Sequence, residues 1–249
     1  TLLVESFAQY SALLVMEEKY GKDKMRKFLK FELDRYLSNR ATDPEGELPL
    51  YRVENQSYIH YRKGSVVMYA LRDYLGKDTV NRTLNRLVKE HGLQSDPYPT
   101  TLDFLRILRK EAGPEHDQLI TDLFERITLF DLKAEKAVLE EMPNGKFKVT
   151  LTVEAEKFEA DNEGIEAERE LVDMIDIGVF TANPDDSDFD TSKVLYMQKH
   201  KITKDTRSIE LIVDAKPLFA GIDPYNKLID RNSNDNIQSV TERVAENVD

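Results

Sequence analysis

Cysteine is absent from the 249 residues, which excludes disulfide bonds and thiolate metal sites while leaving the compartment open. Long apolar runs are missing as well. No stretch approaches the roughly 18 to 20 residues that a bilayer-crossing helix needs, so the chain reads as a soluble piece whatever it is attached to. Basic charge is scarce: 35 Lys and Arg against 47 Asp and Glu leave a formal charge of −12, which opposes association with a phosphate backbone or an anionic lipid surface. Nucleic acid is therefore not an expected partner. Only four histidines occur, His60, His91, His116 and His200, and no two are spaced i, i+4. A complete catalytic zinc site, with two such His and a third ligand, cannot be assembled from this sequence alone.

What is present divides into two periodicities. Residues 2 to 20 place Leu3, Phe7, Tyr10 and Leu14 on one helical stripe and stop at Gly21, and Met25, Phe28, Leu29, Leu33, Tyr36 and Leu37 mark a second helix. A long loop then runs from Ser38 to Tyr58, longer than a connection without a role usually is. It delivers the segment "YIHYRKGSVVMYALRDYLG". Further helices are expected at about 77 to 90, 101 to 112 and 116 to 128, with a capping-box pattern at Thr100 and Asp103 and a stop at Gly113-Pro114. Beyond Pro143-Asn144-Gly145, a hairpin-turn signal, the period changes to two. In "GKFKVTLTVEAEKF" the residues Phe147, Val149, Leu151 and Val153 alternate with polar neighbours, and "LVDMIDIGVF", "KVLYMQKHKI" and "SIELIVDA" continue in that style. The pattern predicts an α+β chain with an antiparallel sandwich after the helices. The boundary is placed near residues 132 to 143, and the polar stretch after Asp230 reads as a frayed tail.

The chain opens inside an apolar helix, with neither an initiator Met nor a polar cap, so it is expected to be part of a larger protein. Glu5 is the residue there that needs explaining. Taken by itself, it fits the wet side of an amphipathic helix; the alternative is a metal ligand. Tyr61, likewise, fits an aromatic packing a helix start. Lys63 and Arg62 read as solvated basic residues that could also hold substrate, His60 as a structural His, and Gly64 as a site of close helix approach. Asp186, Asp188 and Asp190 in "NPDDSDFD" alternate as calcium ligands do, yet the Gly and distal Glu of an EF-hand loop are missing, and "DRNSNDN" fails the same test.

Two stretches change the weighting. "LLVESFAQY" resembles the gluzincin segment of the family M1 metallopeptidases, in which a helical Glu followed by a small residue, Phe-Ala and an aromatic supplies the third zinc ligand. "YRKGSVVMYAL" resembles the Tyr-x-Lys-Gly segment of the same family, and the order and spacing of the two also agree. The resemblance implies that Glu5 is a metal ligand and Tyr61 the donor to the developing oxyanion. It implies a helical bundle at 1–135, the C-terminal half of a thermolysin-like catalytic domain, then an Ig-like β-sandwich at 136–230 and a polar tail at 231–249. "RVENQSYIHYRKGS" and "AGIDPYNKLIDRN" are most similar to a bacterial subgroup in which the peptidase is fused behind an ABC-2-type permease. That implies a membrane-associated parent, side unknown, acting on peptide substrates with one zinc ion, supplied with two His by an upstream H-E-x-x-H helix. The chain alone is expected to lack activity and not to retain zinc. A non-catalytic scaffold or binding module of the transporter assembly is the alternative.

Overall fold

A computed structural model describes residues 1–242. Helices fill the first half: α1 (Leu2–Tyr20), α2 (Met25–Arg40), α3 (Gly64–Leu75), α4 (Lys77–His91), α5 (Thr101–Ala112) and the single turn α6 (Asp117–Ile120). The predicted cap of α5 is formed, with the Asp103 carboxylate accepting from both the backbone N–H and the hydroxyl of Thr100 at 2.9 Å. Between the long loop and α3 the chain makes a wide π-type turn, Tyr58–Lys63. Such turns are rare and frequent at functional sites. Among the described residues no helix is long and apolar enough to cross a membrane.

The second half is one curled, mixed sheet. Its strands are β1 (Ile127–Glu141), β2 (Phe147–Ala160), β3 (Glu166–Arg169), β4 (Val172–Phe180), β5 (Val194–Thr203), β6 (Ser208–Val213), β7 (Phe219–Ile222) and β8 (Ile237–Glu242). The order is β3-β2-β1-β8-β7-β4-β5, and β6 shares the outer edge of β2 with β3. Every pairing is antiparallel except β1 with β8, which is parallel, so the sheet is not wholly antiparallel as expected. The curl brings buried side chains of β1, β2 and β6 into one core with those of β4 and β7. A second core holds the helices and takes in Ile127, Leu129 and Ala160 from the strands and Ile229 from the segment between β7 and β8.

Several elements differ from the sequence pattern. The helix expected at 116–128 stops after Ile120, passes through a π-type turn at Thr121–Glu125, and Ile127 already begins β1. Residues 132–141, where a boundary was expected, belong to the longest strand. Alternation there is hidden by a bulge: Leu132 and Ala134 point inward, the register slips at Glu135, and Ala137 and Leu139 resume on the inner face. The stretch after Asp230 is no frayed tail within the described residues. Residues 237–242 form β8, and Ser233 and Asn236 are buried. The remainder of that expected tail, 243–249, lies outside the described residues.

The two cores are joined by charge as well as by apolar contact. Asp73 on α3 accepts from Lys227 Nζ at 2.7 Å and from Lys199 Nζ at 2.6 Å, and both lysines also reach Asp176 on β4. Burial pushes the Asp73 carboxyl up, but the two ammonium groups outweigh it and hold the group down at about 2. Arg26 of α2 grips Asp185 in the β4–β5 loop through two nitrogens, at 2.7 and 3.1 Å.

Leu132→Ala tests the strand assignment. Leu132 is fully buried, so the substitution is expected to cost about 2–5 kcal/mol in urea denaturation. An exposed linker residue would change stability by no more than roughly 0.5 kcal/mol, and that smaller value would return the segment to a linker.

Candidate functional site

Glu5 sits in the first turn of α1, where the unpaired amides of a helix start favour a carboxylate. Its side chain is half-buried, as is Tyr61 in the wide turn before α3. The structure brings the two together. The Tyr61 hydroxyl donates to the Glu5 carboxylate, and this hydrogen bond, reinforced by the negative charge, raises the phenol above its ordinary pKa of 10.0. Tyr61 is therefore a protonated, neutral donor at pH 7.

The approach that allows this contact is set next to both residues. Ser6 is buried and donates to the backbone carbonyl of His60 at 2.6 Å, pinning α1 to the wide turn. A Cβ on Gly64 would lie 2.3 Å from Ser6 Oγ, so only glycine lets the two helices come this close. The close helix approach expected of Gly64 is thus present, and its partner is the residue after Glu5.

His60, set aside on sequence grounds, belongs to the same corner. It is buried, its ring packs edge-on against Tyr61 with centroids 4.5 Å apart, and its Nδ1 has no hydrogen-bond partner. Burial lowers its pKa, and the nearby Glu5 charge opposes that shift. The imidazole is consequently neutral at pH 7 and packs Tyr61 from one side. Its position immediately before the Tyr-x-Lys-Gly segment was the available signal.

Lys63 has a different role from the one open to it in the sequence. It is fully buried and donates to Glu47 Oε1 at 2.7 Å, with its ammonium 5.2 Å from the centre of the Tyr36 ring. Tyr36 donates to the same oxygen at 2.5 Å, and Arg40 Nε reaches Oε2 at 2.6 Å. Lys63 therefore anchors the turn from beneath and does not face substrate. Arg62 pairs with Glu32 of α2 at 2.8 Å. Tyr58 is likewise committed, donating to Asp43 of the long loop at 2.7 Å. Of the aromatics in the segment, Tyr61 is the one whose hydroxyl meets Glu5.

Neither acidic stretch brings three carboxylates together for a metal ion. Among the described residues no group of three His, Asp or Glu side chains is placed to hold a metal ion. In "NPDDSDFD", Asp185 is taken by Arg26 and Asp190 accepts from the amide of Ser192 at 2.8 Å. Neither a protein-family model nor a curated protein sequence matches the chain.

Two predictions follow from these contacts. Removing the Glu5 charge by Glu5→Gln should lower the pKa of both Tyr61 and His60, because the carboxylate holds each proton in place. Carbon-13 NMR titration of the Tyr Cζ and His Cε1 signals reads both, and an unmoved Tyr61 would place the two side chains apart. Lys63→Met leaves Glu47 buried with a lost partner and should cost about 3–5 kcal/mol. Burial pushes Glu47 up, yet Lys63 and the hydrogen bonds from Tyr36 and Arg40 hold it below its ordinary 4.5. Its contribution to stability is thus complete above pH 4.5 and is lost as the pH falls through the lower folded value. Urea titrations at neutral and acid pH should show this acid sensitivity in the wild type and less of it in Lys63→Met.

Proposed function

We propose that the chain is the C-terminal portion of an M1-type zinc aminopeptidase, its helices a subdomain of the catalytic domain and its strands an Ig-like sandwich following it. The observation that carries the reading is the Tyr61–Glu5 hydrogen bond. Two motifs far apart in sequence, each matched to a role around one reaction centre, meet side chain to side chain.

Zinc held for hydrolysis takes three protein ligands and keeps a fourth position open. The donor set fits a part of such a site. Glu5 offers one half-exposed carboxylate, the neighbouring basic residues Arg62 and Lys63 being paired with Glu32 and Glu47, while the described residues hold no ligand group of three. The two imidazoles come, in this proposal, from an H-E-x-x-H helix of the parent. When bound, the metal supplies a water activated for attack on a peptide carbonyl near neutral pH.

This chain's own residues then have separate tasks. Glu5 holds its place at the metal through α1. Tyr61 exchanges its hydrogen bond to Glu5 for one to the substrate carbonyl oxygen as negative charge develops there, stabilising the transition state more than the ground state. Its raised pKa keeps the proton on the phenol. His60 and the Ser6–Gly64 contact keep the ring and the helix in register, and Lys63 with Glu47 fixes the turn. The reaction is removal of N-terminal residues from peptides, in a parent associated with a membrane permease. The rival, a non-catalytic scaffold in a transporter assembly, draws on one observation, the incomplete ligand set.

Paired measurements on the full-length parent separate the two. Tyr61→Phe should keep zinc and fold while lowering kcat by about 10² to 10³ with little change in KM. Glu5→Gln should instead reduce zinc retention, since an amide oxygen is a poorer ligand for this ion. Kinetics on an aminoacyl chromogenic substrate, with zinc measured on the same samples, reads both. A wild-type parent that neither binds zinc nor cleaves the substrate would establish the scaffold.

A further inference from the structure

The inner face of the curled sheet is apolar along β1 from Leu139 back to Phe130, and beyond Phe130 it turns polar. Lys157, opposite Phe130 on β2, is buried with its ammonium 5.5 Å from the centre of the Phe130 ring. Here lies a cavity of about 330 Å³, lined by β1, β2 and β3 and by the turn after α6 and the start of β4. That volume is in the range of small-molecule sites, and the mouth of a curled sheet is a usual place for one.

Six charged side chains of the lining form one alternating series. Asp173 accepts from Lys157 at 3.0 Å, and Lys157 reaches Asp122 at 2.7 Å. Asp122 pairs with Arg126 at 3.2 Å, Arg126 with Glu159 at 3.5 Å, and Glu159 with Arg169 at 3.0 Å. Each inner member thus has an opposite charge on both sides. The two ends do not. Among the described residues the sole ion pair of Asp173 is with Lys157, and that of Arg169 is with Glu159. Arg169 gives its Nε to Glu159, and its two terminal nitrogens make no hydrogen bond among the described residues. Asp173 shares one ammonium with Asp122, and burial pushes its carboxyl up by more than Lys157 draws it down. The Thr128 hydroxyl, which also lines the cavity, is buried and has no partner.

These charges narrow the ligand. With exposed Glu170 on the rim, four acids face three bases, so a plain anion meets net repulsion, while a plain cation leaves Arg169 unmatched. We propose that the cavity binds a small zwitterion, the ammonium and carboxylate of a free amino acid or a dipeptide, with its ammonium on Asp173 and its carboxylate on Arg169. The carboxylate takes the two free terminal nitrogens of Arg169, the fork that a guanidinium offers to a pair of oxygens. The ammonium brings Asp173 a second cation and has a further N–H for the Thr128 hydroxyl. Bound there, the ligand closes the open series of charges into a ring in which every member has two opposite neighbours. Neither Glu5 nor Tyr61 lines the cavity, so the site is independent of the peptidase reading.

The chain is titrated by calorimetry with L-alanine and with L-alanyl-L-alanine, whose methyl side chains ask for no shaped pocket. One molecule per chain is expected for at least one of them, and the tighter of the two names the source. Ethylamine, which lacks the carboxylate, and N-acetyl-L-alanine, which lacks the ammonium, should each bind roughly 10- to 100-fold more weakly, as the loss of a charged hydrogen bond implies. Arg169→Gln and Asp173→Asn should weaken binding of the zwitterion by a similar factor. Arg169 is half-exposed, so its variant serves even where Asp173→Asn folds poorly. Arg82→Gln, on α4 and outside the cavity, should change nothing. Absence of binding by either zwitterion up to about 10 mM, a very weak affinity for a small ligand, would overturn the proposal. So would equal binding of ethylamine or of N-acetyl-L-alanine, or unchanged binding in both variants.

Discussion

The fold around the candidate site depends on one buried carboxylate. Glu47, in the long loop, is held by Lys63 from the wide turn and by Tyr36 and Arg40 from α2. Its backbone N–H donates to the carbonyl of Asn162 in the β2–β3 turn at 3.1 Å. Loop, helix, turn and sheet therefore meet at one residue. With Lys63 drawn inward to this charge, the turn is fixed from below and Tyr61, two residues earlier, is left at the surface of α1. Taking a lysine and a glutamate out of water is costly, and their attraction offsets the cost with the help of the bonds that Tyr36 and Arg40 direct to the same carboxylate. The arrangement accounts for the length of the loop, which would otherwise be an expensive segment to order.

Ionic contacts also decide how the helices seat on the sheet. Asp73, Asp176, Lys199 and Lys227 form a closed set of four bonds between α3, β4, β5 and the segment before β8. Lys157 adds a second set, reaching Asp122 at 2.7 Å and Asp173 at 3.0 Å. Apolar surfaces can slide against one another, whereas a paired charge has a defined partner and direction. The contact between the two cores is consequently specified by a few polar residues, while the apolar residues within each core supply the bulk of the burial.

Much of the local structure was legible in the sequence. The stripes of α1 and α2, the Thr100–Asp103 cap and the alternation of β2, β4, β5 and β6 all correspond to observed elements. Gly145, at φ +77°, takes the left-handed turn position that the Pro143-Asn144-Gly145 signal demanded. Other elements were not legible. The bulge in β1 breaks its alternation, and its Ala, Glu and Lys residues favour helix as readily as strand. β8 is polar because it is built into the sheet largely through backbone bonds to β1 and β7, which leave no hydrophobic pattern. Glu5 and Tyr61 stood out by resemblance to motifs; nothing in their spacing required them to touch.

By itself the sequence determined what local chemistry can determine: which segments turn, where helices start and stop, that thiolate chemistry is impossible, and that two residues resemble parts of a known reaction centre. Periodicity and capping act over a few residues, so they survive without knowledge of the rest of the chain. Only the tertiary structure decided the pairing of charges. A lysine in "YRKG" reads the same whether it faces substrate or a buried glutamate, because its partner Glu47 is chosen by the packing of α2 and the long loop. The polar turn at 230–236 reads as a tail until β1 and β7 close around it and remove its oxygens from water. Burial is a property of the assembled chain, and it is burial that turns an ordinary polar residue into one that needs a partner.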